Sequence, residues 1–289
     1  MSTSTALRPS VRAAFNALID YAGLFPPAEL PLQQASDEYR SEGAGPYAWM
    51  LGRFIAPVAL LAAPEARFDV PFSAILQGSD ALSMVAALRR TSTRIETLEF
   101  SPQSGAADNL RERLDADGLG NLPAYVESAR SANWLTTLDA TMERLRRHGL
   151  GAKLRCGGLT ADAFPSVAEV ASFIAAARSQ NVPFKATAGL HHPVRHLDRT
   201  TGFMQHGFLN LLAAAALAGS VPAQTLEEIV AEEDAGAFSF DDEAFAWRDE
   251  RINVAELERT REEVFVAYGS CSFSEPVDDL IALGMLPAR

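Results

Sequence analysis

Residues 151–193 read GAKLRCGGLTADAFPSVAEVASFIAAARSQNVPFKATAGLHHP, and their pattern decides the fold. Two short segments, 151–158 and 182–189, flank a stretch in which Val167, Val170, Ala171, Ile174 and Ala177 recur at helical spacing. Side chains alternate between the two faces of a strand. In the first segment Ala152, Leu154 and Cys156 share one face and Lys153 and Arg155 the other. In the second, Val182, Phe184, Ala186 and Ala188 share one face and Lys185 and Thr187 the other. The pattern predicts a βαβ unit with parallel strands.

The two lysines extend the reading. Each stands four residues before a glycine, Gly157 or Gly189, so each falls near the carboxyl end of its strand, on the face away from the helices. In a (β/α)8 barrel that face is the interior, and that end carries the active site. A buried lysine is costly unless it is paired or neutralised. Two close together are expected to lower each other's pKa, which is what an amine nucleophile needs.

Working outward, strand-like runs occupy 17–28, 49–57, 70–78, 94–100, 122–128 and 263–272, giving eight in all. Helical spacing appears over 31–43, at Leu82, Val85 and Leu88, at Leu135, Leu138, Met142 and Leu145, and at Val277, Leu280 and Ile281. Eight strands alternating with helices predict an α/β fold, a (β/α)8 TIM barrel formed by residues 1–289 as one domain. The competing open sheet lacks its GxGxxG phosphate signature. An insertion of about 203–260 separates strands seven and eight. It holds an apolar run at 207–221, too short to span a membrane and read as a buried helix. An acidic helix near 225–234 and a hairpin around Asp241, Asp242 and Glu243 complete it. The insertion is read as a lid, a subunit contact or a surface decoration, and its apolar helix makes a homo-oligomer plausible.

Composition narrows the partners. The 289 residues are 48% hydrophobic, enough for a large core, and the net charge of −12 argues against nucleic acid and against an anionic membrane. Cys156 and Cys271 form no disulfide framework, and the first ten residues contain no apolar signal core, so the expected location is cytoplasmic.

Six charged side chains are expected to point inward at the carboxyl ends: Arg53, Glu99, Glu127, Lys153, Arg155 and Lys185, joined by Gln77, Tyr125 and Thr187. One reading is a structural ion-pair network. The other is an active site with Lys153, or secondarily Lys185, as nucleophile. Glu99, Glu127 or His191 would then move protons, and Arg155 and Arg53 would hold an anion. Gly157, Gly189, Ser270 and Ser272 offer backbone N–H groups and hydroxyls to the same anion. His191 and His192, with His196 near, admit an alternative in which they and a glutamate bind a divalent metal ion. Cys156 falls on the core face; Cys271 falls at the mouth.

The segments KLRCGG (153–158) and KATAGL (185–190) resemble the two lysine motifs of the deoxyribose-phosphate aldolase group of class I aldolases. In that group they run Lys-x-Ser-Thr-Gly on strand six and Lys-Ala-Ser-Gly-Gly on strand seven. YGSCS (268–272) is similar to the group's phosphate-binding glycine–serine turn. The resemblance implies an imine on Lys153, activation by Lys185 and no cofactor. Arg155 stands where the group has a small hydroxyl residue, and His191–His192 and the insertion depart from its pattern. The expected function is a lyase acting on a small anionic carbonyl metabolite through a lysine Schiff base. The alternatives are a metal-dependent barrel lyase or hydrolase and a non-catalytic binding protein.

Overall fold

The computed structural model describes residues 7–62, 69–91, 93–101 and 107–289. Eight parallel strands close into a barrel. They are β1 (Ile19–Tyr21), β2 (Leu51–Pro57), β3 (Phe72–Leu76), β4 (Ile95–Phe100), β5 (Ala124–Glu127), β6 (Gly151–Arg155), β7 (Phe184–Thr187) and β8 (Phe265–Ser270). Each falls inside a run expected from the sequence. β8 pairs with both β7 and β1, so the sheet has no open edge. The fold is a (β/α)8 TIM barrel.

The helices are α1 (Pro9–Phe15), α2 (Leu32–Gly43), α3 (Val58–Leu61), α4 (Ala81–Arg90), α5 (Ala107–Ala116), α6 (Trp134–Arg147), α7 (Val167–Ser179), α8 (Phe208–Leu217), α9 (Ala223–Ala231), α10 (Val254–Glu263) and α11 (Ser274–Ala282). α7 starts at a capping box: the Ser166 hydroxyl accepts from Glu169 N–H, and the Glu169 carboxylate accepts from Ser166 N–H. It buries Val170, Ala171, Phe173, Ile174 and Ala177. α6 buries Trp134, Leu138, Met142 and Leu145, whereas Leu135 is exposed. The sequence reading had given that place to Leu135; the apolar stripe is fixed instead by Trp134, which stacks on Phe173 at 6.1 Å.

Alternation divides each barrel strand. Leu98, Phe100, Leu154, Ala186 and Tyr268 belong to the buried outward layer that meets the helices. The inward layer is polar: Ser73, Thr97, Glu99, Glu127, Lys153 and Lys185 are all buried. β8 contributes small residues to this interior, Ala267 level with Lys185 and Gly269 level with Asp20 and Thr187. Those positions make room for the long side chains opposite.

The chain between β7 and β8 is mostly packed against the barrel. All ten residues of α8 are buried, and Phe208 stacks on Tyr268 of β8 at 5.1 Å. The apolar helix that suggested a subunit contact is thus covered by its own chain. The expected hairpin is present, Phe238–Phe240 against Ala244–Trp247, but a third strand, Glu250–Asn253, extends it into a meander. The sheet packs on α1, with the Phe15 and Phe240 rings 5.3 Å apart and Arg8 Nη1 donating to the Phe240 carbonyl at 2.9 Å. The meander thus packs against α1 and against α10, whose Val254 N–H donates to the Glu243 carbonyl. Among the described residues no helix is long and apolar enough to cross a membrane.

Candidate active site

Strand register decides which inward side chains meet. Glu127, Lys153 and Lys185 are directly paired positions on β5, β6 and β7. Glu99 lies level with Tyr125. The heads converge into a series of alternating charge. Lys185 Nζ lies 2.6 Å from Asp20 Oδ2 and also bonds Glu99 Oε1. Glu99 Oε2 lies 2.8 Å from Lys153 Nζ, which is 3.5 Å from Glu127 Oε2. Glu127 Oε1 accepts from Arg155 Nε at 2.8 Å. Ser73 Oγ donates to Glu99 at 2.6 Å and accepts from Lys185 at 3.1 Å and from Thr97 Oγ1 at 2.7 Å. Asp20 Oδ1 accepts from the Arg53 N–H at 2.6 Å.

Burial differs along the series. Lys185 is 2% exposed and Lys153 6%, while the Arg155 side chain is 48% exposed at the mouth. Burial by itself would raise the Glu99 carboxyl, but Lys153 and Lys185 override it and hold the group well below the usual carboxylate range. Burial by itself would lower Lys185; the carboxylates of Asp20 and Glu99 reverse that and hold it above the ordinary lysine value. The expectation that neighbouring lysines depress one another therefore fails for Lys185, because a carboxylate stands between the two ammonium groups. Burial raises the Tyr125 phenol, against the pull of Lys185 and Arg53.

A cavity of about 260 Å³ opens at the carboxyl ends of β5 and β6, and Glu127, Arg130, Trp134, Lys153 and Arg155 are among its walls. Lys153 reaches this cavity; Lys185 lies deeper in the barrel. The neighbouring glycines serve close packing. A side chain on Gly157 would meet Gly189 Cα at 3.1 Å, and one on Gly189 would meet the Cys156 carbonyl at 3.1 Å. Gly189, at φ 67°, also occupies the left-handed region.

Several expected members lie elsewhere. Arg53 turns its guanidinium to Glu96, 3.3 Å away, near the start of β4, and does not join Arg155. Gln77 is exposed just beyond β3. Ser270 Oγ donates to the Ser272 carbonyl at 2.6 Å, and Ser272 Oγ accepts from Glu275 N–H at 3.2 Å, so both hydroxyls are engaged within the turn entering α11. His191 Nδ1 lies 2.9 Å from Glu275, and His192 Nδ1 lies 2.5 Å from Asp279. The two histidines thus pair with separate carboxylates of α11 and not with Glu99 or Glu127. Among the described residues no group of three or more His, Cys, Asp or Glu is arranged to hold a metal ion.

Cys156 is buried, and burial pushes its thiol up to about 12. Cys271 is also buried and raised by burial, with Sγ 3.8 Å from His191 Nε2. Three residues of the site escaped the sequence reading. Asp20 sits in Ile19-Asp20-Tyr21, a charge between apolar neighbours that period-two alternation turns inward. Ser73 shares the set of Ile75 and Gln77. Trp134 carried only a helical signal.

No protein-family model and no curated protein sequence matches the chain. Among solved structures it is similar to one described as the "unique tetrameric structure of deoxyribose phosphate aldolase from Aeropyrum pernix". The identity is 12% and the TM-score 0.45, over 63% of this chain and 80% of that one. That protein belongs to the aldolase group which the two lysine motifs of this chain resemble.

Proposed function

We propose that the chain is an aldolase-like lyase acting on a small anionic carbonyl compound through an imine on Lys153. The observation that carries this reading is that Lys153, of the two interior lysines, lines the cavity at the mouth. Lys185, held charged by Asp20 and Glu99, is the fixed cation beside it. Glu127 is assigned the proton transfers. Its Oε2 is buried, lies 3.5 Å from Lys153 Nζ and makes no hydrogen bond. Glu99, claimed by both lysines, is a poor proton acceptor.

The chemistry balances with these groups alone. The Lys153 ammonium gives one proton to Glu127, and the resulting amine forms a C–N bond to the substrate carbonyl carbon. The former carbonyl oxygen takes up two protons in all and leaves as water, so an ammonium and a ketone or aldehyde become an iminium and water. The iminium then draws the electron pair of the bond between the α and β carbons and becomes an enamine. The hydroxyl on the departing β carbon loses its proton to a carboxylate, and that carbon becomes a second carbonyl product. The proton then passes to the enamine carbon, and the water molecule hydrolyses the iminium, returning the Lys153 ammonium and the first carbonyl product.

Borohydride reduction in the presence of carbonyl compounds tests this. Mass spectrometry should find one modified residue, Lys153, and Lys153→Ala should abolish the adduct. Lys153 and Lys185 are the two lysines of the sequence, so label on Lys185 or on the terminal amine in place of Lys153, or none with any carbonyl compound, would sink the proposal.

A further inference from the structure

The alternating series has two different ends. Each interior ammonium touches two carboxylates: Lys185 has Asp20 and Glu99, and Lys153 has Glu99 and Glu127. Arg155, at the mouth, touches only Glu127, through Nε. A guanidinium has five N–H donors in a planar fork, and the rest of this one faces solvent and the cavity. The unspent end of the series is therefore a single cation suited to a planar carboxylate.

Its distance from the nucleophile sets the size of the ligand. Lys153 and Arg155 lie on the same face of β6, two residues apart, with roughly 6.6 Å of rise between them. Their heads come closer, because the one carboxylate of Glu127 reaches both, at 3.5 and 2.8 Å. A ligand with its carbonyl carbon at Lys153 and its anion at Arg155 needs the two groups adjacent in its skeleton. Trp134, another wall of the cavity, is 5% exposed and its indole N–H is buried without a partner, a donor available to a substrate oxygen. Arg130 is already engaged with Glu169 at 3.3 Å and with the Asp162 carbonyl.

The charge balance distinguishes carboxylate from phosphate. The series holds three cations and three carboxylates, so a monoanion disturbs it less than a dianion does. The Ser270–Ser272 turn has both hydroxyls committed, and the Glu275 carboxylate stands at its end.

We infer that the cavity beside Lys153 is a carboxylate subsite built on Arg155, and that the substrate is a 2-oxo carboxylic acid rather than a phosphorylated aldehyde. This rests on the imine reading above for its chemistry, but not for its anion site.

The test compares labelling of Lys153 by cyanoborohydride with pyruvate, acetaldehyde and glycolaldehyde phosphate. Pyruvate should reach half-labelling at a concentration at least about tenfold lower than either of the others, the worth of one charge-assisted fork. Arg155→Gln should reduce the preference for pyruvate over acetaldehyde by about tenfold, and Arg155→Lys should reduce it less. Using that ratio removes any effect of the variant on Lys153 itself. Labelling by acetaldehyde with no preference for pyruvate, or with a preference for the phosphate, overturns the inference and leaves the imine reading standing. Calorimetric binding of oxamate, which carries the carboxylate but does not condense with an amine, decides the case where no carbonyl compound labels. Oxamate bound by the wild type and lost in Arg155→Gln upholds the subsite while the imine reading fails. Oxamate unbound, or bound equally by both proteins, overturns the subsite.

Discussion

Asp20 on β1 and Lys185 on β7 are not on adjacent strands, yet their heads meet at 2.6 Å. β8 runs between them and presents Ala267 and Gly269 at the positions level with Lys185 and Asp20. The small residues open the space that the ion pair crosses. In that gap Lys185 also reaches Glu99, so a fully buried ammonium ends with two carboxylates and the Ser73 hydroxyl around it.

Removing that ammonium should be costly. Lys185→Met leaves Asp20 and Glu99 buried with less compensation, and the expected loss is about 3–5 kcal/mol. Adding Asp20→Asn should restore part of it, because one stranded charge disappears. Urea unfolding of the single and double variants measures both terms, and an additive result would show that the two residues act independently.

The pH dependence of stability follows from the same charges. Glu99 is depressed on folding, so its contribution is complete above the ordinary carboxylate value of 4.5 and is lost as pH falls through the folded value. Lys185 is raised, so its contribution is complete below the ordinary value of 10.5 and is lost as pH rises through the folded value. The network should therefore add a constant amount between about pH 5 and pH 10. Glu99→Gln should flatten the acid limb of a stability–pH curve relative to wild type. An unchanged acid limb would show that Glu99 is not held charged by the lysines.

Gly52 is a sensitive position outside the charged series. A Cβ there would lie 2.3 Å from Asp20 Oδ1 and 3.2 Å from the Ile19 carbonyl. Gly52→Ala must displace Asp20, whose Oδ1 also accepts the Arg53 N–H. The expected cost is about 1–3 kcal/mol in unfolding free energy, the range for overpacking.

The two thiols should be slow to react. Burial raises both, and the thiolate is the reactive form. At pH 7.5 a disulfide reagent should modify the folded protein far more slowly than the urea-unfolded chain. Cys156, buried on the outward face of its strand segment, should be the last to react. Prompt reaction of Cys271 would mean that His191 activates it against its burial.

The eight strands were legible because each is a short, mostly apolar run, and most are closed by glycine or proline. Period-two alternation places Glu99, Glu127, Lys153, Arg155 and Lys185 on the inward faces of their strands from the sequence alone. It fails where strands slip. Ile19 pairs with Leu51 but Tyr21 with Phe54, so β2 carries an extra residue beside Gly52 and Arg53. A second irregularity shifts β3 against β4 at Phe72 and Ser73. Alternation carries no record of such bulges, and Arg53 was accordingly grouped with the mouth instead of with Glu96. The strand Glu250–Asn253 has a single buried residue, Ile252, too little pattern to announce itself. His191 and His192 lie in a loop, where no periodicity gives a direction.

The docking of the meander on α1 bears on the order in which the chain folds. Arg8 and Phe15 are held by Phe240, and β1 gains its second partner only from β8. On a ribosome, β1 can pair with β2 early but must keep its other edge open until residues beyond 265 have been made. An open edge of this kind is a template for pairing with another chain. Closure is a step of high contact order, and such steps are slow. The β1–β8 seam is thus a point at which a newly made chain is open to misassembly, and the α1–meander contact, like that seam, joins the start of the chain to residues made late.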